Sequence, residues 1–269
     1  MNICLFDKQE INKPLSLKDP RGEHIVKVLH KKEGDEFYAG IIGGKAGKAV
    51  ITSLALTEEK ASNGKTFTSG SLEFEFFAET DGKPLNPLIM VIGFPRPIQL
   101  KRLLRDMAAL GVKEVHLTAT ELSEKSYLES ELATSEAGYK MLLDGTVQAA
   151  STHVPLLFRH KSLKECLFFI NERLDCQESL TKIALDNVSV KENLGNFLKN
   201  TELNLKCKQN LDALCVAAIG SERGWTENER ALLESFGYVR LGMGSRVMRT
   251  ETASTVSASI ILNEMGVLS

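Results

Sequence analysis

Two glycine-bearing loops in the C-terminal half carry the side chains best suited to chemistry. One is the run Gly-Ser-Glu-Arg-Gly at 220–224, and the other is Gly-Met-Gly-Ser-Arg-Val-Met-Arg-Thr at 242–250. Glycines allow the backbone to approach a ligand closely. Arg246 and Arg249 can hold an anion or a flat polar ring with their planar guanidinium groups. For either loop alone, an ordinary tight turn that carries solvated charges is the alternative interpretation.

Each of the two loops directly follows a predicted strand. The apolar run 214–219 precedes the first loop, and residues 238–241 precede the second. In open α/β sheets, ligands bind beyond the carboxyl ends of the strands. The sequence therefore places both loops where a ligand site is expected.

Other familiar sites lack the residues that they need. The run Gly-Gly-Lys-Ala-Gly-Lys at 43–48 lacks the spacing and the hydroxyl of a phosphate-binding loop, and it lies between predicted strands, which favours a hairpin turn. The sequence contains no dinucleotide fingerprint after a strand, no nucleophile elbow and no His-Glu-x-x-His motif. Its five histidines form no ligand pair at helical spacing, so we predict no metal site.

The cysteine count and the charge balance favour a cytoplasmic protein that is not a nucleic-acid coat protein. No two cysteines form a Cys-x-x-Cys pair, which indicates reduced thiols. The 33 basic and 35 acidic residues give a formal net charge of -2, which still allows a local basic patch. No apolar run is long enough to span a bilayer, and no signal peptide is recognisable. The cysteines are Cys4, Cys166, Cys176, Cys207 and Cys215.

The N-terminal segment 1–80 is predicted to form a small β-barrel. Strand-like runs alternate there with turn signals such as Gly34-Asp35. Short strands at close spacing are typical of small barrels. The linker-like stretch 81–87 places the domain boundary near residue 80. The strand-like runs are 36–39, 48–52 and 71–76.

The segment 81–269 alternates strands with helices, which indicates an α/β domain with a mostly parallel sheet. Pro97 is expected to open a helix that ends near Gly111, and Thr226 with Glu229 forms a predicted capping box. The other predicted helices are 136–150, 162–174 and 251–265. The predicted strands are 88–94, 115–118, 181–185, 214–219 and 238–241.

Taken together, the two loops resemble the RsmE-type methyltransferases. These belong to the knotted SPOUT class and methylate N3 of a uridine in small-subunit ribosomal RNA. Residues 245–253 match the family signature of arginine, two aliphatic residues, arginine and Thr-Glu-Thr. Residues 220–224 match its Gly-Pro-Glu-Gly-Gly loop, with Ser221 in place of the proline and Arg223 in place of one glycine. The resemblance covers essentially the whole chain.

The resemblance is weaker outside these loops. The run 24–30 is similar to a motif of the family's N-terminal barrel. Ala109 replaces an acidic residue of the family, Ser151 stands where the family has an arginine, and Asp106 lies in the same divergent middle part. These departures indicate either a different RNA target or a divergent clade with the same target. We favour the second because the loops and the barrel motif persist.

The resemblance implies a PUA-like, RNA-binding β-barrel at 1–80 and a SPOUT-type α/β domain with a trefoil knot at 81–269. It also implies S-adenosylmethionine as the cofactor, a homodimer, and ribosomal RNA, within the assembled small subunit, as the substrate. DNA and membranes are not expected as partners. The cofactor-binding residues implied are Leu185, Ile219, Gly220, Ser221, Glu222, Gly224, Met243, Gly244, Val247, Met248 and Thr250.

Three residues are expected to act in catalysis. Arg246 or Arg249 would stabilise the negative charge on the uracil ring, because the target nitrogen must lose its proton. Glu222 would shape the cofactor loop or accept that proton. A purely structural carboxylate, bonded to loop amides, is the alternative for Glu222.

RNA is expected to bind two local basic stretches, 21–32 and 96–105. Within them, the predicted RNA-binding residues are Arg21, His24, Lys27, Lys31 and Arg102. Solvated helix and barrel faces are the alternative. Two other functions also remain open at this stage: a knotted methyltransferase that acts on transfer RNA, and a non-catalytic RNA-binding protein.

Overall fold

The computed structural model describes residues 2–60, 66–128, 135–177, 179–201 and 213–268. The chain divides into two compact units. The first unit comprises the chain up to Pro84 together with Thr146–Val154, and the second comprises Leu85–Gly145 and the chain from Pro155 onward. The sequence offers no reason to expect that 146–154 returns to the first unit. Among the described residues, no helix is both long and apolar enough to cross a membrane.

A five-stranded sheet forms the framework of the first unit. Its strand order is β1-β3-β4-β5-β2, with β1 parallel to β3 and the other pairs antiparallel. The predicted turn at 43–48 joins β3 to β4, and Gly43 has a φ of 70° there. The strands are β1 (Cys4–Phe6), β2 (Leu15–Ser16), β3 (Glu36–Ile41), β4 (Ala46–Lys60) and β5 (Thr66–Thr80).

Aromatic side chains fill the core of the first unit. The rings of Phe6, Phe37 and Phe74 pack together, with centroids 4.9 and 5.7 Å apart. Ile25 packs against them from the π-helical turn His24–Val28, which follows α1 (Pro20–Glu23). The curled sheet around this core agrees with the expected PUA-like barrel.

The second unit contains a parallel six-stranded sheet in the order β11-β9-β10-β6-β7-β8. Its central strands are apolar on both faces, as expected for strands covered by helices. The strands are β6 (Asn86–Gly93), β7 (Val112–Thr118), β8 (Leu156–His160), β9 (Leu180–Leu185), β10 (Leu214–Ile219) and β11 (Val239–Leu241).

Helices alternate with these strands, as the sequence predicts. Pro97 opens the helix that buries Leu100, Leu103, Leu104 and Met107. The helices are α2 (Pro97–Ala109), α3 (Lys125–Leu128), α4 (Ser135–Gln148), α5 (Leu163–Leu174), α6 (Leu194–Asn200), α7 (Glu227–Ser235) and α8 (Thr250–Glu264). Strand β8 and helices α3 and α6 are absent from the sequence-based assignment.

The described cysteines agree with the expected reduced state. Cys4, Cys166 and Cys215 are buried, Cys176 is exposed, and none of these four forms a disulfide. Burial raises the pKa of the Cys4 thiol to about 12, so this group stays protonated at neutral pH. Cys207 lies outside the described residues.

Candidate active site

The candidate site lies at the carboxyl ends of three neighbouring parallel strands. Strand β9 pairs with β10 on one side and with β11 on the other. The three strands end at Leu185, Ile219 and Leu241, respectively. Because the strands are parallel, the loops that follow them meet at one edge of the sheet.

These loops enclose a cavity of about 100 Å³. Every residue predicted to bind the cofactor lines this cavity, and so does Arg246. The lining residues that the sequence analysis did not single out are Asp186, Asn187, Trp225 and Ala253. The expected residues thus converge on one place, although their contact with a cofactor stays a prediction.

The loop after β10 is a tight turn that depends on its glycines. The amide of Gly224 donates to the carbonyl of Ser221 at 2.8 Å, and Gly224 has a φ of 75°. A Cβ atom added at Gly220 would lie 3.0 Å from the carbonyl carbon of Gly224. The Thr250 hydroxyl donates to the Gly220 carbonyl at 3.2 Å, so this loop is tied to the start of α8.

The loop after β9 is held by a buried carboxylate. Asp186 accepts hydrogen bonds from Arg230 at 2.7 Å and from Arg240 at 3.1 Å. Burial alone would raise the pKa of Asp186, but these two guanidinium groups hold it below its usual value. An acidic residue directly after a buried strand is the only sequence signal for Asp186, because its partners come from α7 and β11.

Trp225 connects the loops after β9 and β10. Its indole nitrogen donates to the Leu185 carbonyl at 2.9 Å, and its side chain is buried in the core. This hydrogen bond fixes the end of β9 against the start of α7. The single tryptophan of the chain therefore shapes the cavity wall, a role that the sequence pattern does not reveal.

The loop after β11 presents one of the two expected catalytic arginines to the cavity. Arg246 is exposed and lines it, whereas Arg249 caps the start of α8 and is not among its lining residues. The base of the loop is fixed, because the Gly242 amide donates to the Glu192 carbonyl at 3.0 Å. The sequence alone does not distinguish the two arginines, but in the structure Arg246 lines the cavity and Arg249 does not.

Glu222 lies at the rim of the same cavity. Its carboxylate accepts a hydrogen bond from Nε of Arg96 at 3.1 Å, and Arg96 comes from the loop between β6 and α2. The next residue, Arg223, pairs with Glu124 at 2.7 Å. Among the described residues, the carboxylate of Glu222 is therefore bonded to the side chain of Arg96, and no loop amide donates to it as its structural alternative requires.

Arg21, which is expected to bind RNA, forms ion pairs and a hydrogen bond within the first unit. Its guanidinium pairs with Glu10 at 2.9 Å and Asp19 at 2.7 Å, and it donates to the Leu5 carbonyl at 2.9 Å. The hydrogen bonds that Arg21 donates to Asp19 and Glu10 raise its pKa above the usual value. A charge neutralised by two carboxylates inside its own unit is poorly placed to bind phosphate, which argues against the predicted role of Arg21 in RNA binding.

The other expected RNA-binding residues differ in their exposure. Lys27 is exposed and pairs with Glu23 at 3.1 Å, while Lys31 is half-buried beside an open cleft of the first unit. His24 is half-buried, and its Nε2 has no hydrogen-bond partner among the described residues. Arg102 is exposed on α2 of the second unit.

Of the three departures from the family pattern, Asp106 has a clear structural role. Its carboxylate accepts a hydrogen bond from the Thr255 hydroxyl at 3.0 Å, which links α2 to α8. Ala109 is exposed, and Ser151 is half-buried in the segment that returns to the first unit.

Comparisons with known proteins show the family of the chain. Residues 82–262 match a family model described as an RNA methyltransferase domain. The chain is 40% identical over 267 residues to the ribosomal RNA small subunit methyltransferase E of Treponema pallidum. This match covers 97% of this chain and 91% of that protein. It is 32% identical to the ribosomal RNA small subunit methyltransferase E 1 of Borreliella burgdorferi, with 97% of each chain covered.

Solved structures share the fold. The structure of a ribosomal RNA small subunit methyltransferase E from Neisseria gonorrhoeae, bound to S-adenosyl methionine, has a TM-score of 0.68 at 18% identity. The match covers 98% of this chain and 97% of that one. The chain therefore shares the fold of this structure. On the family model and the sequence identity, the chain belongs to the RsmE family of RNA methyltransferases.

Proposed function

We propose that this chain transfers a methyl group from S-adenosylmethionine to N3 of a uridine in the 16S ribosomal RNA of the small subunit. The observation that carries the proposal is the cavity at the carboxyl edge of β9, β10 and β11. The motif residues line this cavity, and the chain belongs to the RsmE family. Sites at this edge of a parallel sheet are typical of nucleotide-containing ligands.

The residues of the cavity suit S-adenosylmethionine. Apolar side chains can enclose the adenine ring, and the glycines let backbone groups approach the ligand closely. The buried hydroxyl of Ser221 has no hydrogen-bond partner among the described residues and is free to bond a ligand. When bound, the cofactor supplies a methyl group that is already activated by its positive sulfur. The apolar lining residues are Leu185, Ile219, Met243, Val247 and Met248.

Arg246 and Glu222 are the side chains that act on the substrate. Uridine N3 carries a proton that must leave before the nitrogen can act as a nucleophile. Glu222, at the rim of the cavity, accepts this proton, and Arg246 stabilises the negative charge that remains on the uracil ring. Arg249 is assigned no part in this step, because it is the N-cap residue of α8 and is not among the residues that line the cavity.

RNA binding uses positive charges on both units. Lys27 and Lys31 of the first unit and Arg102 of the second neutralise phosphates, and His24 lies beside the two lysines in the chain. Phosphate contacts position the RNA, while contacts with the base select the nucleotide. The first unit, up to about residue 80, thus serves as the PUA-like RNA-binding domain.

The protein acts as a homodimer on the assembled small subunit in the cytoplasm. A closed two-fold dimer is the commonest assembly of soluble proteins. Light scattering is expected to give twice the chain mass of 29.7 kDa at micromolar concentration. A monomer mass at every concentration, with activity retained, would contradict the dimer.

The proposed reaction is tested with small subunits from a strain that lacks this methylation. Purified protein and labelled S-adenosylmethionine are incubated with the subunits, with free 16S RNA or with transfer RNA. Mass spectrometry of nuclease digests is expected to find N3-methyluridine in the 16S RNA of the subunits. Methylation of transfer RNA alone would assign another substrate. Absence of any S-adenosylmethionine binding in calorimetry would indicate a non-catalytic RNA-binding protein.

A further inference from the structure

A second cavity adjoins the cofactor cavity within the second unit. Its volume is about 90 Å³, and it lies among the loops that follow β6, β7 and β10. The two cavities share Ser221 and Glu222 as lining residues. A group bound in the second cavity would therefore lie directly beside a ligand bound in the first.

A buried polar atom at the junction lacks a partner. Ser221 is 8% exposed, and its hydroxyl forms no hydrogen bond with the described residues. Leaving a buried hydroxyl without a partner is costly, so such groups in native proteins usually meet water or a ligand. This observation is independent of the shape of the cavity, and it indicates a polar ligand at the junction.

The polar groups at the junction alternate in hydrogen-bonding character. Arg96 offers N–H donors, Glu222 offers carboxylate acceptors, and the hydroxyl of Ser221 can donate. Arg96 and Glu222 already lie side by side, with Nε and the carboxylate oxygen 3.1 Å apart. Taken in the order Arg96, Glu222 and Ser221, these side chains offer a donor, an acceptor and a donor.

This order complements the edge of a uracil base. The C4 carbonyl accepts, the N3–H group donates, and the C2 carbonyl accepts. Cytosine presents a donor and two acceptors along the same edge, so it would leave polar groups without partners. Bases that are not paired in RNA are typically read on this edge and stacked on aromatic rings. Tyr127 lines the cavity and offers such a ring.

We infer that the second cavity is the subsite for the target uracil, and that Arg96 and Ser221 position its two carbonyl groups on either side of Glu222. The inference rests on the proposed function and adds the residues that select the base. Arg96 is a positioning residue, since Glu222 is the group that receives the N3 proton. Its ion pair with Glu222 is exposed, and pairs of this kind are weak enough to rearrange around a substrate.

The first test uses binding alone. Crystals of the full chain with S-adenosylhomocysteine are soaked with uridine 5′-monophosphate or with cytidine 5′-monophosphate. The uracil ring is expected in the second cavity, with a carbonyl oxygen within hydrogen-bond distance of Arg96 and N3 beside Glu222. Uridine at another site, no bound uridine, or equal occupancy by cytidine would overturn the inference.

The second test uses variants in the methylation assay. Arg96→Gln is expected to lower kcat/KM for small subunits by about tenfold to a hundredfold, the usual cost of losing a directed contact with a base. Its calorimetric affinity for S-adenosylmethionine should stay unchanged, because Arg96 does not line the first cavity. Arg96→Lys should recover only part of the loss. Lys113→Gln, an exposed charge at the amino end of β7, is the matched control.

The two proposals fail in different ways. If wild-type protein methylates the small subunit while Arg96→Gln keeps full kcat/KM, the subsite is wrong and the proposed function stands. If uridine binds in the second cavity but small-subunit RNA is not methylated, the proposed RNA target is wrong and the subsite stands.

Discussion

At the scale of single residues, the loop after β10 shows how little space surrounds the cofactor cavity. Gly220→Val is expected to abolish S-adenosylmethionine binding, because its Cβ would already lie 3.0 Å from the backbone of Gly224 before the branched methyl groups are added. Calorimetry measures the effect. Gly195→Ala on α6 is the control, since its Cβ would meet nothing closer than 3.7 Å. Normal affinity in Gly220→Val would remove this loop from the cofactor site.

Gly244 is sensitive for a different reason. A Cβ at this position would meet nothing within 4 Å, but its φ of 101° is one that side-chain-bearing residues rarely adopt. The sequence marks both glycines as places of close approach. In the structure, Gly220 is required because the backbone of Gly224 lies close to it, whereas Gly244 is required for its positive φ.

The two arginines of the C-terminal motif make a matched pair for a catalytic test. Arg246→Ala is expected to lower kcat by about a hundredfold with little change in cofactor affinity, because its charge is needed mainly when the uracil ring becomes negative. Arg249→Ala should lower kcat far less, since Arg249 is not among the residues that line the cavity. Steady-state kinetics and calorimetry separate the two effects. A larger loss in Arg249→Ala than in Arg246→Ala would reverse the assignment.

At the scale of elements, α7 is held by a local contact that can be predicted from the sequence and by a long-range contact that cannot. The capping box of Thr226 and Glu229 forms as expected. The same Glu229 carboxylate also accepts the amide of Glu121 at 2.9 Å, which fixes the loop after β7. Capping depends on residues three positions apart and is visible in the sequence. The contact with Glu121 depends on the fold.

The two partners of the capping box are therefore expected to differ when mutated. Thr226→Ala should lower the free energy of unfolding by about 1 kcal/mol, the usual cost of a lost helix cap. Glu229→Ala should cost about 2 kcal/mol, because it also leaves a loop amide without a partner. Urea denaturation measures both. Equal losses would mean that the contact with Glu121 contributes nothing to stability.

Strands β7 and β8 and helix α5 share a buried polar network. Arg173 holds Glu114 with two hydrogen bonds of 2.7 and 2.9 Å, and Glu114 lies 3.0 Å from His116. Nδ1 of His116 lies 2.9 Å from Nε2 of His160. Burial, together with the nearby His116, lowers the pKa of His160 to about 4. The folded protein thus keeps this imidazole neutral at neutral pH.

Because of this network, the folded protein is expected to become less stable as the pH falls. The unfolded chain protonates His160 near its usual pKa of 6.5, while the folded chain resists protonation down to about 4. Stability is therefore lost as the pH falls through this window, by about 3 kcal/mol for His160. Urea denaturation between pH 7 and pH 4 measures the slope. His160→Gln should show a shallower slope, and an unchanged slope would place the pH dependence elsewhere.

At the scale of the whole molecule, the alternation of strands and helices was sufficient to predict the α/β unit, and the cofactor motifs could be located because they follow strands directly. The return of 146–154 to the first unit could not be predicted. It depends on contacts such as the hydrogen bond from the Thr152 hydroxyl to the Gly44 carbonyl, which joins residues far apart in sequence. Asp186 is similar, since its two arginine partners belong to later elements.

The proposed RNA-binding residues belong to both units, and the contacts of Arg21 change which charges are expected to bind RNA. Replacing Lys27, Lys31 and Arg102 together by Gln should weaken RNA binding, because each phosphate that a cation neutralises releases counterions. The slope of log affinity against log salt should become shallower by about 2, and calorimetry should find cofactor affinity unchanged.

Arg21→Ala provides the contrast, since the ion pairs of Arg21 with Glu10 and Asp19 hold the first unit together. It should lower the free energy of unfolding and leave the salt slope of the folded protein as it was. An unchanged slope in the triple variant, or a changed one in Arg21→Ala, would move the RNA surface to other residues.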